Sequence, residues 1–393
     1  MSKVVINEST LTSIGAAIRE KTGKTDLIAP GNMPAEIRAI PTGGGGGAEV
    51  EPIVFSGDCS YLFNAGNWDW AVELFGDKMS TKDMSGSKYM FGGSALETIP
   101  FELNYDSSKN SDMASMFRDA KNLKSIPKIN NCKPYGTEYM FYNCRSLREL
   151  PANFGSDFDW TYLDSLTTGS LGSRGNIFGN CHSLRSIPME FLNHGNPAGY
   201  SSYCIYGGNS FSYCHALDEL VGLPYPHRNA TWTSNVFSLA FQNLNRLKNL
   251  IFATPDGLPY VVKWKKQTID LTNYVGYAQS VLDVYSEVLK YNSGITAETK
   301  VTDDATYQAL KDNPDWWTTK IEYSRYNHDS AVATINSLPD TSAYLATQTS
   351  GTNTNTIKFK GAAGSLTDGG AINTLTEEEI AVATAKGWTV TLV

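Results

Sequence analysis

One apolar phrase returns along the middle of the chain. It reads YMFGGSALETIP at 89–100, SMFRDAKNLKSIP at 115–127 and YMFYNCRSLRELP at 139–151. It continues as NIFGNCHSLRSIP at 176–188, NSFSYCHALDELVGLP at 209–224 and LAFQNLNRLKNLIF at 239–252, and YLFNAG at 61–66 reads as a degenerate first copy. The shared Phe91, Phe117, Phe141, Phe178, Phe211 and Phe241 are separated by 26, 24, 37, 33 and 30 residues. A constant phrase at irregular steps predicts a repeat unit with outer loops of variable length, stacked into a solenoid.

Each position of the phrase has a packing role. Three residues after the Phe stands a small or apolar residue (Ala120, Cys144, Cys181, Cys214 or Leu244), which lets one coil nest on the next. Leu123, Leu147, Leu184, Leu217 and Leu247 follow, each with an apolar partner three residues on. A lone repeat cannot cover so much apolar surface, whereas stacked copies share one core. Just before those partners, Glu149, Ser186, Glu219 and Asn249 are expected to point outward as a row on the repeat face.

The pattern changes at both ends. Residues 1–41 place Leu11, Ile14 and Ile18 on one helical face, and Ile37 and Ile40 on a second short helix that starts at Pro34. Two such short helices cannot bury their apolar sides alone, so they are expected to dock on another chain. Residues 42–49 contain the run Gly43 to Gly47, a flexible tether. Gly23-Lys24-Thr25 is not a phosphate loop, because that motif needs a glycine where Ile18 stands. Residues 253–393 open on a strand-like stretch, Tyr260 to Leu271, followed by an amphipathic helix over 274–289. A helix near 330–338 precedes the strand 356–360. A last helix opens with the capping box of Thr376 and Glu379, ends at Gly387 and leads into a strand over 388–393.

Composition narrows the classes. The chain has 393 residues, 41% hydrophobic, and a net charge of −8, which disfavours nucleic acid because phosphate binding needs clustered Lys and Arg. Lys263, Lys265 and Lys266 around Trp264 read as the polar side of a strand. No apolar run is long enough for a membrane span, and no insertion is expected. The six cysteines include no C-x-x-C pair, so buried reduced thiols are expected rather than zinc or a disulfide frame.

The phrase M-F-x-x-C-x-x-L-x-x-I-P resembles the BspA-like leucine-rich repeats of bacterial surface and phage proteins, over about half the chain. The opening TLTSIGAAIREKTGKTDLIAPGNMPAEIRAI is similar to an N-terminal segment shared by many phage tail proteins, and the ending, HDSAVATINSLPD followed by GGAINTLTEEEIAVATAKGWTVTLV, also resembles such proteins. The resemblance implies that the N-terminal segment joins the distal module to the tail. It also implies several copies per particle, the homotrimer being the usual fibre arrangement. No stretch reads as a secretion or wall-sorting signal, so the expectation is a virion part made in the host cytoplasm, not a cell-anchored adhesin.

No catalytic constellation is expected. His182 and His215 each follow a cysteine, but both pairs fall in the same repeat slot, which explains them without a nucleophile. Asn327, His328, Asp329 and Ser330 read as a helix cap, and five histidines show no metal-ligand spacing. Asp303 and Asp304 read as solvated surface, while a carboxylate pair for glycoside hydrolysis has no sequence signature. Trp68, Trp70, Trp316 and Trp317 are candidates for stacking on sugars, against the commoner role of aromatics in packing. The expected fold is therefore an α+β repeat protein: an irregular leucine-rich-repeat solenoid over 50–252, a modified cap over 253–393 and a short α-helical anchor. The expected function is non-enzymatic and cofactor-free. It joins tail or baseplate proteins through residues 1–41 and meets a host surface glycan or protein through the repeats.

Overall fold

The computed structural model describes residues 53–161, 176–192, 209–214, 216–222, 231–232, 237, 240–242, 244, 247–253, 261–272, 326–348, 353–359 and 375–393. The expected anchor, the tether and the helix over 274–289 lie outside them.

The phenylalanines of the phrase stack face to face in one column. Ring centroids stand 5.3 Å apart for Phe63 and Phe91, 5.5 Å for Phe91 and Phe117, and 5.4 Å for Phe117 and Phe141. The column continues to Phe178 at 5.4 Å, Phe211 at 6.1 Å and Phe241 at 6.2 Å. YLFNAG thus supplies a ring to the column through Phe63. The ring spacing barely responds to the sequence step. After Leu150 the longest unit carries its own aromatic cluster: Phe154, Phe158 and Trp160 gather around Phe191.

Backbone hydrogen bonds explain why the phrase must be constant. Phe117 N–H donates to the Met140 carbonyl of the next coil (2.9 Å), and Asp119 N–H to that of Tyr142 (2.8 Å). Phe91, Phe141, Phe178 and Phe211 make the equivalent bond one coil along. Reaching these partners takes a left-handed residue on each side of the ring, as at Tyr139 (φ 55°) and Asn143 (φ 64°). The chain therefore bends twice around Phe63, Phe91, Phe117, Phe141 and Phe178 and satisfies its polar backbone between coils.

Parallel strands run beside the column. One sheet holds Ile53–Asp58, Met79–Gly86, Ser111–Asp112 and Pro134–Gly136 in chain order. Leu103–Asn104 pairs with Ile129–Asn130, and Glu219–Val221 with Asn249–Ile251. Within each of these sheets successive coils set their strands side by side, which requires the long crossovers that parallel pairing always needs.

A third element set closes the C-terminal end. Thr268–Leu271, Asn355–Phe359 and Trp388–Leu392 form a parallel sheet, with the helix Glu377–Ala385 between the last two strands. The helix His328–Ser337 is capped by Asn327, whose side chain accepts from Ser330 N–H. It lies on the stack: Thr334 Oγ1 donates to the Leu250 carbonyl (2.8 Å), and Phe252 N–H donates to Ser337 Oγ (3.1 Å). One expectation is corrected. Of the stretch expected as one strand from Tyr260 to Leu271, the described residues 261–271 hold two short strands, Lys263–Trp264 and Thr268–Leu271, interrupted by Lys266 at φ 59°. The break turns Gln267 N–H onto the side chain of Asn355 (2.9 Å).

Candidate functional site

The row that the phrase predicts on its outer side is set by a second backbone ladder. Arg148 N–H donates to the Lys124 carbonyl (3.2 Å), Arg185 to Arg148 (3.1 Å), Asp218 to Arg185 (3.0 Å) and Lys248 to Asp218 (2.7 Å). The next residue of each coil is then Glu149, Ser186, Glu219 or Asn249. Glu149, Ser186 and Glu219 are exposed, while the neighbouring Leu150, Ile187 and Leu220 are buried. Those three exposed side chains line one groove of about 620 Å³, floored in part by Ile126, Leu150 and Ile187. Asn249 departs from the expectation: it pairs in register with Glu219 but is half-buried and does not line the groove.

The groove has a repeating chemistry. Adjacent strands of a sheet stand about 4.8 Å apart, so a ligand lying along the stack meets a carboxylate, a hydroxyl and a carboxylate in sequence. Glu149 and Glu219 accept hydrogen bonds or attract cations, and Ser186 can donate or accept. The apolar floor contributes contact area without direction.

Other expected positions fall elsewhere. Leu11, Ile14, Ile18, Ile37 and Ile40 lie outside the described residues, as do Trp316, Trp317, Asp303, Asp304 and His215. Trp68 is half-buried and meets Phe63 edge-on at 5.5 Å, a packing role. Trp70 lies in the helix Asp69–Phe75, and its side chain is outside the described set. His182 is buried, at 2% exposure. His328 Nε2 stands 3.2 Å from Glu379 Oε2, joining two helix N-termini.

Five of the six cysteines lie among the described residues and have structural explanations. Cys59, Cys132, Cys144, Cys181 and Cys214 are free and buried. Burial pushes the Cys59 thiol up to about 11, with the Asp58 carboxylate adding to it, and the Cys214 thiol up to about 12. Such thiols carry little thiolate at neutral pH and are poor nucleophiles.

A second groove, of about 510 Å³, was not expected from the sequence. It runs over the left-handed bends, where Arg118, Tyr139, Tyr142, Asn180, Tyr213 and Gln242 are among its walls. The signal was present: tyrosine, arginine and amide residues recur two before, one after or two after the phrase's Phe. Those slots read as turns until the coils are stacked. No protein-family model, curated protein or solved structure matches the chain.

Proposed function

We propose that this chain is a phage tail fibre or baseplate-associated protein whose repeats recognise the host surface. In this reading residues 1–41 attach it to the tail, and an irregular leucine-rich-repeat solenoid presents the recognition face. The observation that carries it is the groove of Glu149, Ser186 and Glu219, which with Ser125 takes one polar side chain from each of four successive coils. An extended surface built by repetition suits a long ligand better than a small substrate. The resemblance of the opening segment to phage tail proteins supports the attachment role, and the function is adhesive, not catalytic.

The test is binding of the fluorescently labelled full-length chain to a panel of bacterial cells. Saturable binding to a narrow set of strains, weakened by Glu149→Ala with Glu219→Ala, is the expected result. Binding to no strain would leave an architectural virion protein as the better account. Release of sugar fragments from the cells, lost with Glu149→Gln, would instead establish a polysaccharide hydrolase.

A further inference from the structure

We infer that the groove over the left-handed bends is a binding site for a neutral oligosaccharide, built from Tyr139, Tyr142, Tyr213, Asn180 and Gln242. This is a different surface from the Glu149–Ser186–Glu219 groove, and the inference stands whether or not that groove binds anything.

The walls are aromatic and already in place. Tyr139 and Tyr142 meet edge to face, with centroids 5.6 Å apart and planes at 82°. The Arg118 guanidinium lies 5.1 Å from the Tyr139 ring centre and 5.8 Å from that of Tyr142. Its Nη1 also donates to the Tyr89 hydroxyl (3.3 Å), and its Nε stands 3.4 Å from Asp119 Oδ2. On the next coil Gly179 makes room for Tyr142: a Cβ there would stand 3.1 Å from two of its ring carbons. Rings held this way lose little freedom when a ligand arrives, which favours affinity.

The backbone adds a separate reason. Tyr139 (φ 55°) and Tyr213 (φ 63°) occupy left-handed positions, a conformation that favours glycine and asparagine over bulky side chains. Asn176 (φ 62°), Asn180 (φ 63°) and Gly93 (φ 67°) fill equivalent slots of other coils without that strain. Tyrosine recurs in the slot before the ring at Tyr61 (φ 65°) and Tyr89 (φ 53°), so Tyr139 follows the repeat, whereas in the slot after the ring Tyr213 is the one left-handed tyrosine among the described residues. Tyr213 is 44% exposed. Strain retained at an exposed aromatic points to a ligand.

The ligand's chemistry follows from the lining. A pyranose has one face of C–H groups, which packs on a phenol ring, and a rim of hydroxyls that both donate and accept. The amides of Asn180 and Gln242 match that rim, since each donates and accepts. Among the described residues no carboxylate lines the groove. Its one guanidinium is engaged by Asp119, Tyr89 and two rings, so a neutral glycan fits better than an acidic one. The groove crosses several coils, which suits a chain of sugars rather than one.

The experiment applies the full-length chain to an array of neutral and acidic bacterial oligosaccharides, then titrates the best neutral ligand by calorimetry. Tyr213→Ala and Gln242→Ala should each weaken binding about tenfold or more without lowering the melting temperature. Tyr213→Phe, which keeps the ring face, should retain most of the affinity, and Glu149→Ala should leave it unchanged. Binding to no glycan, affinity indifferent to Tyr213, or binding only to acidic glycans and abolished by salt would each overturn the inference. Cell binding that ignores Tyr213 would sink this site while sparing the recognition role. Glycan binding without cell binding would do the reverse.

Discussion

Cys144 donates its thiol proton to the backbone carbonyl of Phe117, 2.9 Å away on the preceding coil. Cys181 does the same to Phe141 at 3.0 Å, and Cys214 to Phe178 at 3.1 Å. The slot three residues after the ring thus holds a group small enough to nest and able to bond to the coil before it. Ala120 fills the same slot with the nesting alone, so the bond is an addition to the packing.

That arrangement predicts thiols shut off from solution. Cys144, Cys181 and Cys214 are at 0% exposure, and burial raises all three thiols. Under native conditions at pH 8, iodoacetamide should leave Cys59, Cys132, Cys144, Cys181 and Cys214 unlabelled in peptide maps, and unfolding should label all five. Rapid native labelling of Cys144 or Cys181 would mean that the coils are not stacked as described.

The same thiols set an alkaline limit. A buried thiol with a raised value keeps its proton in the folded state while the unfolded chain loses its own. The stabilisation is complete below the ordinary thiol value of 9.0 and is lost as pH rises through the folded values, about 11 for Cys59 and about 12 for Cys214. Tyr105 and Tyr326 are raised by burial in the same direction. Melting temperature should be level from pH 7 to near 9 and then fall steeply. The Cys214→Ala variant should show a shallower fall.

Asp112 and Gly136 are matched across neighbouring strands. A Cβ on Gly136 would stand 2.7 Å from Asp112 Oδ1, which already accepts from Ala114 N–H (3.0 Å). Tyr135 donates to the other oxygen (3.3 Å), so the carboxylate has little room to withdraw. Gly136→Ala should therefore destabilise the fold by about 1–3 kcal/mol, although the same change at a compatible site stabilises. Pairing it with Asp112→Ala should recover part of the loss in a double-mutant cycle. At the equivalent Gly86 the neighbour Asp58 is exposed and can swing aside, so Gly86→Ala should cost less. Equal costs at the two glycines would argue against the crowding at Gly136.

How far this could be read beforehand depends on the kind of contact. The phrase marks the ring column because Phe141 and Leu147 recur whatever the loop length, and periodic burial writes itself into sequence. The capping box of Thr376 and Glu379 was equally legible, being local: Glu379 N–H donates to Thr376 Oγ1, and Thr376 N–H to Glu379 Oε2. The left-handed Tyr139 and Tyr213 were not, since propensity assigns such bends to glycine or asparagine and only inter-coil bonding imposes them here. Lys266 hid the break between two strands for the same reason. Glu149, Ser186 and Glu219 could be placed in a row, but Asn249 could not be separated from them, because the burial of the last coil depends on the helix that packs against it.

Asn355 offers the sharpest test of how the C-terminal sheet is held to the rest. Asn355 is at 0% exposure, and its side chain bonds to segments distant in sequence. Oδ1 accepts from Gln267 N–H (2.9 Å), and Nδ2 donates to the Trp264 carbonyl (3.0 Å) and to Thr341 Oγ1 (3.1 Å). Thr341 passes the connection on through its hydroxyl to the Lys386 carbonyl (2.9 Å). One amide therefore ties together the strand pair before it, a helix start and the turn leading to the last strand. Asn355→Leu keeps much of the volume but leaves the Gln267 N–H and the Trp264 carbonyl buried without this partner, at about 1–3 kcal/mol for each group left unsatisfied. A loss of about 2–5 kcal/mol is expected in urea unfolding, well above that of Thr356→Val on the same strand. Asn355→Asp should be no milder at pH 7, because it buries a carboxylate and removes both amide donors, and it should recover as the pH is lowered. A loss below about 1 kcal/mol for Asn355→Leu would mean that the three segments are held by packing of Trp264, Ile357 and Trp388, with the amide incidental.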